Sequence, residues 1–166
     1  MKVDPRSMTA AQINIQDIAH SLSMQCRFAG HVRQFISVAQ HSVNVSKHCD
    51  PRDALWGLLH DASEAYVTDL PRPLKYTPEL SGFVKLEERL QGEVAKRFSL
   101  PMPIPESVHE ADTVELLTEW ASFKPLGAPE QNGVLSEYQA RDDFMISWAP
   151  SVAERAFLAR FEELVK

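Results

Sequence analysis

The stretch from residue 79 to residue 98 repeats its apolar side chains at the spacing of an α-helix. Side chains three or four positions apart lie on one face of a helix, so this stretch can bury one face and expose its charged side. The apolar face comprises Leu80, Phe83, Leu86, Leu90, Val94 and Phe98. Such a helix needs other elements to cover that face, and the chain shows no alternating strand pattern. We therefore predict an all-α fold.

Capping residues mark the starts of further helices. Asn14 is a good N-cap, and Asp17 three residues later can complete a capping box. Asp50 is a second cap, with Pro51 at the first helical position and Asp53 near the positive end of the helix dipole. The first predicted helix starts after Asn14. The third starts at residue 51 and ends near residues 64–66. The others run over residues 37–47, 105–123, 137–147 and 151–165, the last of which is capped by Ser151.

Prolines and glycines mark the predicted connections. Residues 68–78 contain three prolines and are predicted to be a loop, and a second proline cluster at 101–105 marks a turn. Residues 127–133 are also predicted to be a loop. A length of 166 residues without internal repeats suits one domain. We predict a single helical-bundle domain over residues 1–166, with a motif-bearing core at 13–123 and C-terminal helices over 134–165.

Charge and cysteine content narrow the class of protein. The formal net charge of -6 argues against a nucleic-acid polymer or an anionic membrane as partner, because their binders usually carry a basic face. A small anionic ligand stays open, since a few local cations and a metal can override the global charge. Cys26 and Cys49 provide neither a disulfide framework nor a cysteine-type zinc site. With no signal-peptide pattern and no apolar stretch of membrane-spanning length, we expect a cytoplasmic protein.

A pair of adjacent polar residues, His60 and Asp61, ends the third predicted helix. Neighbouring helical residues point about 100° apart, so both can reach one ion over the edge between them. Imidazole and carboxylate are natural ligands of divalent first-row metals. Glu64 shares their side of the helix and can address a water on the same metal. His41 and Asp112 lie mid-helix, where an aspartate beside core positions is costly unless it is exposed or paired.

The order of these residues resembles that of the HD-domain metal-dependent phosphohydrolases. More narrowly, three segments are similar to the bacterial HD-domain 5′-deoxynucleotidases and their phage relatives: HDASEAYVTDLPRPLKY at 60–76, AQHS at 39–42 and the Arg27-Phe28 pair. The resemblance covers about residues 13–120. It implies a single HD-domain helical bundle and a homo-oligomer, a dimer or larger.

The resemblance implies a role for each matching residue. The implied ligands of one divalent transition metal (Co, Mn, Zn, Ni or Fe) are His41, His60, Asp61 and Asp112. Glu64 would position or deprotonate the attacking water, and Asp69 would assist that water or contact the sugar. Arg27 would clamp the phosphate, since a guanidinium fork suits phosphate oxygens. Where the family has a tryptophan against the sugar, this chain has Phe28, which keeps an apolar wall but changes its shape.

Ordinary structural roles stay open for several of these residues. Glu64 can be a solvated helix-end charge, Asp69 a loop cap and Arg27 the partner of a surface carboxylate. His31 and Arg33 share the loop of Arg27 and either contact phosphate or are ordinary loop residues. Lys75 and Arg72 either flank an anionic pocket, with Lys75 as a substrate contact, or only improve solubility.

The expected activity is hydrolysis of the 5′-phosphate of 2′-deoxynucleotides, with deoxynucleoside monophosphates as the first choice. A triphosphohydrolase that releases triphosphate from a substrate such as dATP is the alternative, because family relatives do both. A two-metal phosphodiesterase or nuclease is disfavoured, since His109 is the only histidine between Asp61 and Asp112. A non-catalytic nucleotide-binding module would not need Glu64 and Asp69 beside the ligands. A purely structural network would bury aspartates with no cation to balance them.

Overall fold

The computed structural model of the chain describes residues 4–128, 137–143 and 145–166. These residues form a bundle of helices connected by turns and short 3-10 helices, and the one isolated β-bridge described joins Cys26 to Ser37. The α-helices are α1 (Ile15–Met24), α2 (Val38–His48), α3 (Ala54–Leu59), α4 (Glu64–Val67), α5 (Arg72–Lys75), α6 (Ser81–Phe98), α7 (Glu106–Phe123) and α8 (Pro150–Leu164). The prediction of an all-α fold is confirmed.

Helix α2 lies at the centre of the bundle, where α1, α3, α7 and α8 pack around it. Residues 38–46 of α2 are buried or half-buried, so their polar side chains must find partners inside the protein, whereas Lys47 and His48 at its end are exposed. The Ser42 hydroxyl donates to the Val38 carbonyl oxygen at 3.0 Å, and Arg160 of α8 donates to the carbonyl oxygen of Ser46 at 3.0 Å. His41 is the buried imidazole of this helix, and it faces Asp112 of α7 and the residues His60 and Asp61 that follow α3.

Gly57 lets α3 approach α2 closely. A Cβ atom at this position would lie 2.8 Å from the Cys49 Sγ atom and 2.9 Å from the Ser46 Cα atom, both closer than real Cβ contacts. Only a residue without a side chain fits this contact between two helices. The close approach brings the end of α3, with His60, toward His41 of α2.

The predicted caps are largely confirmed. The Asn14 side chain accepts from the Gln16 backbone N–H at 2.9 Å, and Asp50 accepts from the Arg52 N–H at 2.9 Å. The predicted capping box of Asn14 with Asp17 is wrong, because the Asn14 backbone N–H donates to the Tyr66 hydroxyl oxygen at 3.3 Å instead. The final helix begins at Pro150 with Ala149 as its N-cap, so Ser151 is inside the first turn rather than at the cap.

The third predicted helix is interrupted. It begins as a 3-10 turn over Pro51–Asp53, α3 ends at Leu59, and α4 starts at Glu64 after a tight turn. Gln91 of α6 binds both sides of that turn: its amide nitrogen donates to the Leu59 carbonyl oxygen at 2.7 Å, and its oxygen accepts from the Ser63 N–H at 3.1 Å. The prediction of an uninterrupted helix is therefore wrong, because a side chain from another helix satisfies backbone groups at the break.

Three other predictions need correction or lie outside the described residues. The proline-rich segment 68–78 contains the helical turn α5, since Pro71 and Pro73 stand at its start, where a missing N–H costs nothing. Residues 137–143 and 145–147 are not helical; the Arg141 backbone N–H donates to the Thr118 side chain at 2.9 Å. Within the predicted loop 127–133, residues 129–133 lie outside the described residues, as do residues 134–136 of the predicted C-terminal helices.

Two further findings concern the cysteines and the length of the helices. Cys26 and Cys49 are both free thiols; Cys26 is half-buried and Cys49 is buried. Among the described helices, none combines the length and the apolar character needed to cross a lipid bilayer.

Candidate metal centre

The structure brings the four predicted metal ligands together. His41 comes from α2, His60 and Asp61 from the turn after α3, and Asp112 from α7. His41 Nε2 lies 3.1 Å from Asp112 Oδ1 and 3.8 Å from Asp61 Oδ2, and His60 Nε2 lies 3.2 Å from Asp61 Oδ2. One ligand atom each from His41, His60 and Asp112 lies within 4.8 Å of the others, so these three residues could hold a metal ion.

The hydrogen bonds that the structure describes for the two imidazoles involve Nδ1 and not Nε2. His60 Nδ1 lies 2.8 Å from the Gly57 carbonyl oxygen, and His41 Nδ1 lies 2.9 Å from Glu119 Oε1. Both neighbours are acceptors, so in the neutral form of each ring Nδ1 carries the proton and Nε2 presents a lone pair. Among the described residues, His41 Nε2 and His60 Nε2 are buried with no hydrogen-bond partner. Lone pairs that face carboxylate oxygens repel them, and a divalent cation between them removes that repulsion, so the donor set fits a first-row metal.

The charges around the donors also favour a cation. Burial alone would raise the pKa of Asp61, but His60 and His41 outweigh it and lower that pKa to about 2. Burial likewise opposes ionisation of Asp112, yet His41 and His60 hold its pKa well below its usual range. Burial and Arg27 lower the pKa of His41, whereas Glu119 and Asp112 raise it, with a net value of about 10. The negative potential that favours a proton on His41 favours a metal ion at the same place.

A cleft of about 870 Å³ opens beside the four donors. This volume is typical of sites that bind small molecules. Most of the residues predicted for catalysis and substrate contact line it, namely Arg27, Phe28, Glu64, Asp69 and Lys75, together with His60, Asp61 and Asp112 of the centre. Arg72, which the sequence indicated together with Lys75, also lines the cleft. Lining residues that the sequence did not indicate include Tyr76, Glu87, Gln91, His109 and Leu116.

Glu64 begins α4 and directs its carboxyl group into the cleft. Its side chain is buried, and its Oε2 atom has no hydrogen-bond partner among the described residues. Burial raises the pKa of Glu64 well above its ordinary value, and the nearby charges of Asp61 and Asp69 raise it further. It is thus not a solvated helix-end charge. A buried carboxyl group with a raised pKa and an unused oxygen has the properties of a group that accepts a proton from water.

Arg27 and Phe28 stand on an unusual turn. Phe28 and Ala29 have positive φ angles of 56° and 50°, followed by Gly30 at 79°, so the chain reverses sharply after Arg27. The Phe28 ring packs on Trp120 of α7 with ring centroids 5.4 Å apart. The Arg27 Nε atom donates to Glu119 Oε2 at 2.6 Å, and the side chain is buried. Its carboxylate partner is therefore internal rather than on the surface.

Asp69, Lys75 and Arg72 also line the cleft. The Asp69 backbone N–H donates to Gln25 Oε1 at 3.0 Å, and burial raises the pKa of the Asp69 carboxyl group. Lys75 Nζ lies 2.6 Å from Glu87 Oε2, so its charge is balanced within the protein. Arg72 is half-exposed and donates to Asp112 Oδ2 at 2.7 Å, which makes it a neighbour of a candidate metal ligand.

Arg33 is the predicted substrate contact that the structure does not bring to the cleft. Its side chain is exposed, and Nη2 donates to the Ser122 carbonyl oxygen at 2.9 Å. Its backbone N–H donates to the Phe123 carbonyl oxygen at 2.8 Å. The reversal at Gly30 therefore turns this part of the loop onto the C-terminal end of α7, and neither Arg33 nor His31 is among the described residues that line the cleft.

Glu119 is a site residue that the sequence did not reveal. It follows Asp112 by seven residues on α7, about two helical turns, so both side chains share one face of the helix. It is fully buried and contacts both His41 and Arg27. Burial raises the pKa of its carboxyl group, but Arg27 and His41 outweigh burial and the net pKa is lowered. The spacing from Asp112 was the available signal, since a carboxylate on the same face is unusual unless it has a buried partner.

Comparison with known proteins gives the family of this chain. No protein-family model matches it. It is 39% identical to the uncharacterized protein YfdR of Escherichia coli strain K12 over 155 residues, which cover 92% of this chain and 84% of that protein. The chain belongs to the YfdR family. An uncharacterized protein of Rhodobacter capsulatus is 35% identical over 131 residues, 71% of this chain and 66% of the relative. The match with YfdR spans so much of the chain that it includes α2 to α7, which carry the candidate centre.

Proposed function

We propose that this member of the YfdR family is an HD-domain, metal-dependent phosphohydrolase that removes the 5′-phosphate of 2′-deoxynucleotides. One observation carries the proposal. Two buried imidazole nitrogens, on His41 and His60, have no hydrogen-bond partner in the part of the chain that the structure describes. They face the carboxylates of Asp61 and Asp112 at the edge of a cleft of small-molecule size. These donors would hold one divalent first-row cation, and the order in which they occur along the chain matches the HD-domain pattern.

The chemistry requires activated water and a held phosphate. A divalent cation, when bound, supplies Lewis acidity toward a phosphoryl oxygen and toward water. Glu64 orients a water molecule with its unused Oε2 atom and accepts a proton from it. The water oxygen forms a bond to the phosphorus nearest the 5′ oxygen, and the bond between that phosphorus and the 5′ oxygen breaks. The leaving oxygen takes up a proton, so a monophosphate yields a nucleoside and inorganic phosphate.

Binding of the nucleotide would use three residues that line the cleft. Arg27 offers its terminal guanidinium nitrogens to phosphate oxygens while its Nε atom is bonded to Glu119. Phe28, braced by Trp120, offers an apolar face for the sugar. Asp69 lines the cleft near Glu64 and would contact the sugar or the attacking water.

The balance of charge in the cleft favours a monophosphate over a triphosphate. Each of its three strongly basic residues already has a carboxylate partner: Arg27 has Glu119, Lys75 has Glu87 and Arg72 has Asp112. A ligand with two negative charges needs fewer unpaired cations than one with four. The size of the cleft, about 870 Å³, supports the second candidate, a triphosphohydrolase that would release triphosphate from a substrate such as dATP by attack at the α-phosphorus.

A nucleotide screen tests the proposal. Purified protein with added Co²⁺ or Mn²⁺ is incubated with each deoxynucleoside mono- and triphosphate and each ribonucleotide, and released phosphate, pyrophosphate and triphosphate are measured. We expect phosphate from deoxynucleoside monophosphates, and no product from the Asp61→Ala variant, which loses the cation. A protein that binds the cation and nucleotides but releases nothing would be a binding module, and the proposed function would be wrong.

A further inference from the structure

Glu119 contacts both a candidate metal ligand and the candidate phosphate-binding residue. Its Oε1 atom lies 2.9 Å from His41 Nδ1, and its Oε2 atom accepts from Arg27 Nε at 2.6 Å. The side chain is fully buried in α7 and is not among the described residues that line the cleft. One carboxylate thus contacts both a candidate metal ligand and the candidate phosphate clamp without reaching cation or substrate itself.

Each hydrogen bond to Glu119 determines how its partner presents its remaining nitrogens to the site. In the neutral ring, donation from His41 Nδ1 to Glu119 places the single proton on Nδ1, so that Nε2 presents a lone pair toward Asp61 and Asp112. Donation from Arg27 Nε fixes the plane of the guanidinium group, because its nitrogens are rigidly coplanar. With Nε bound behind, the two terminal nitrogens extend toward the cleft that Arg27 lines.

The burial of Glu119 makes this arrangement specific. An ionised carboxylate with no exposure needs strong hydrogen-bonding partners on its oxygens. Arg27 and His41 approach different oxygens of the same group, so a displacement of either one leaves a buried oxygen without its donor. The two side chains are therefore held in one joint geometry rather than independently.

We infer that Glu119 is a positioning residue that sets both the cation affinity and the phosphate affinity of the site. For the identity of the anion the inference rests on the proposed function. Glu119 acts because it accepts two hydrogen bonds at once, one from the imidazole of His41 and one from the guanidinium group of Arg27. A residue of the same shape that accepts only one of them should impair the site.

Glu119→Gln is that residue. His41 Nδ1 and Arg27 Nε approach different oxygens of Glu119, and a carboxamide has an oxygen at only one of those two places, so it cannot accept from both donors in this geometry. If its oxygen faces Arg27, its NH₂ group faces His41 Nδ1 and favours the tautomer with a proton on Nε2, which blocks the cation. If its oxygen faces His41, its NH₂ group opposes the Arg27 N–H and displaces the guanidinium group. Loss of such an outer contact typically lowers metal affinity by about 10–100-fold.

Glu115→Gln is the matched control. Glu115 lies one turn earlier on α7 and is also fully buried. It accepts from Arg141 and from Asn44 Nδ2, the latter at 2.7 Å, so its substitution also places a carboxamide in a buried ion pair. It contacts neither His41 nor Arg27 in the described structure. Both variants should lower the melting temperature, but only Glu119→Gln should change the site.

The experiment measures binding rather than turnover. Co²⁺ is titrated into the full chain and its visible absorption recorded, and inorganic phosphate is then titrated into the Co²⁺-loaded protein. We expect Glu119→Gln to weaken Co²⁺ binding about 10–100-fold, to change the Co²⁺ spectrum and to weaken phosphate binding, while Glu115→Gln matches the wild type. Glu119→Asp, which keeps the charge but is one methylene shorter, should also weaken both ligands and serves if the glutamine variant does not fold.

Several outcomes would overturn the inference. These are wild-type affinities for Co²⁺ and phosphate in Glu119→Gln or Glu119→Asp, equal losses in Glu119→Gln and Glu115→Gln, and a wild-type protein that binds no Co²⁺. The proposed function fails separately. If the wild type binds Co²⁺ and phosphate but hydrolyses no nucleotide, the activity is wrong while the role of Glu119 is still decided by the variants.

Discussion

In each imidazole of the candidate centre, the hydrogen bond at Nδ1 determines which tautomer the neutral ring adopts. His60 donates to a backbone oxygen of Gly57, and His41 donates to the carboxylate of Glu119. In the neutral form of each ring, the Nε2 lone pair is available to a cation without a change of tautomer. The pair of donors is therefore prepared by the fold before any ligand arrives.

Glu64→Gln separates the proton acceptor from the metal ligands. The glutamine keeps the size of the buried side chain but cannot accept a proton from water, so turnover should fall by about 10²–10⁴-fold. Cation binding should be unchanged, because Glu64 is not one of the four donors. Steady-state hydrolysis of deoxynucleoside monophosphates and Co²⁺ titration of the same sample provide the two measurements.

The stability of this variant gives an internal control. The raised pKa of Glu64 means that burial opposes its ionised form, so a neutral glutamine should not lower the melting temperature. Near-normal turnover in a folded, cation-loaded Glu64→Gln protein would assign the proton to another group.

Individual site residues differ in how well the sequence predicts them. His60 and Asp61 are recognisable because they are adjacent and lie in the segment at 60–76 that resembles the HD-domain enzymes. Glu119 was missed because reasoning from hydrophobic periodicity assumes that the inward face of a helix is apolar. The inward face of α7 instead carries Glu115, Thr118 and Glu119 beside its apolar residues, and the partners that make this possible lie far away in sequence.

At the scale of elements, the centre depends on how closely α3 packs on α2. The backbone of Gly57 lies against Ser46 and Cys49, and the Gly57 carbonyl oxygen also accepts from His60. The residue that permits the helix contact is thus the residue that orients a metal ligand. A change in the distance between these helices should alter both stability and cation affinity.

Gly57→Ala tests this dependence. The new methyl group would lie under 3.0 Å from backbone and sulfur atoms of α2, so α3 must shift outward. Overpacking of this kind costs about 1–3 kcal/mol, and a protein of this size loses about 2–4 °C of Tm for each kcal/mol. We expect a lower Tm by calorimetry and weaker Co²⁺ binding, since His60 moves away from His41.

Gly92→Ala in α6 is the matched control. A Cβ atom at Gly92 has no atom within 4 Å, so only the helix propensity changes, which should stabilise the protein by roughly 0.5–1 kcal/mol. A Gly57→Ala protein as stable as Gly92→Ala and with unchanged Co²⁺ affinity would show that the close helix contact does not matter for the centre.

The elements that the sequence failed to predict share a physical cause. The break between α3 and α4 depends on Gln91, and the non-helical path of residues 137–143 includes a backbone bond from Arg141 to Thr118. In both places a distant side chain replaces bonds that a helix would make within itself. Local periodicity and capping cannot reveal such partners, whereas they correctly placed α2, α6 and α7, whose patterns are long and whose ends are marked by capping residues or prolines.

At the scale of the whole molecule, the bundle concentrates negative charge inside one site. Asp61, Asp112 and Glu64 meet close to two buried imidazoles, and the folded chain must offset their mutual repulsion. A cation that binds only the folded protein both relieves that repulsion and shifts the folding equilibrium by mass action.

Metal addition should therefore raise the Tm. At a Co²⁺ concentration about 100 times its Kd, the gain is about 2.7 kcal/mol, which corresponds to roughly 5–11 °C for a chain of this size. Thermal unfolding of the chelator-treated protein with and without added Co²⁺ measures it, and His60→Ala should lose most of the response. An equal rise in the wild type and in His60→Ala would indicate that Co²⁺ stabilises the protein from another place.

The fold class of the whole molecule was predictable from local sequence patterns, but the convergence of the candidate metal ligands was not. Helical periodicity is local, so it predicted an all-α chain without any knowledge of packing. Nothing in the spacing of His41, His60 and Asp112 requires them to meet; that expectation came from the resemblance to HD-domain proteins, and the packing of α2, α3 and α7 brings them together. The homo-oligomer implied by the same resemblance stays a prediction.

Anomalous diffraction from crystals soaked in Co²⁺ is the most direct test of the proposed metal centre. We predict one strong peak in contact with His41 Nε2, His60 Nε2 and a carboxylate oxygen each of Asp61 and Asp112. A cobalt peak elsewhere, or none among these four side chains while the ion is bound in solution, would contradict the proposal.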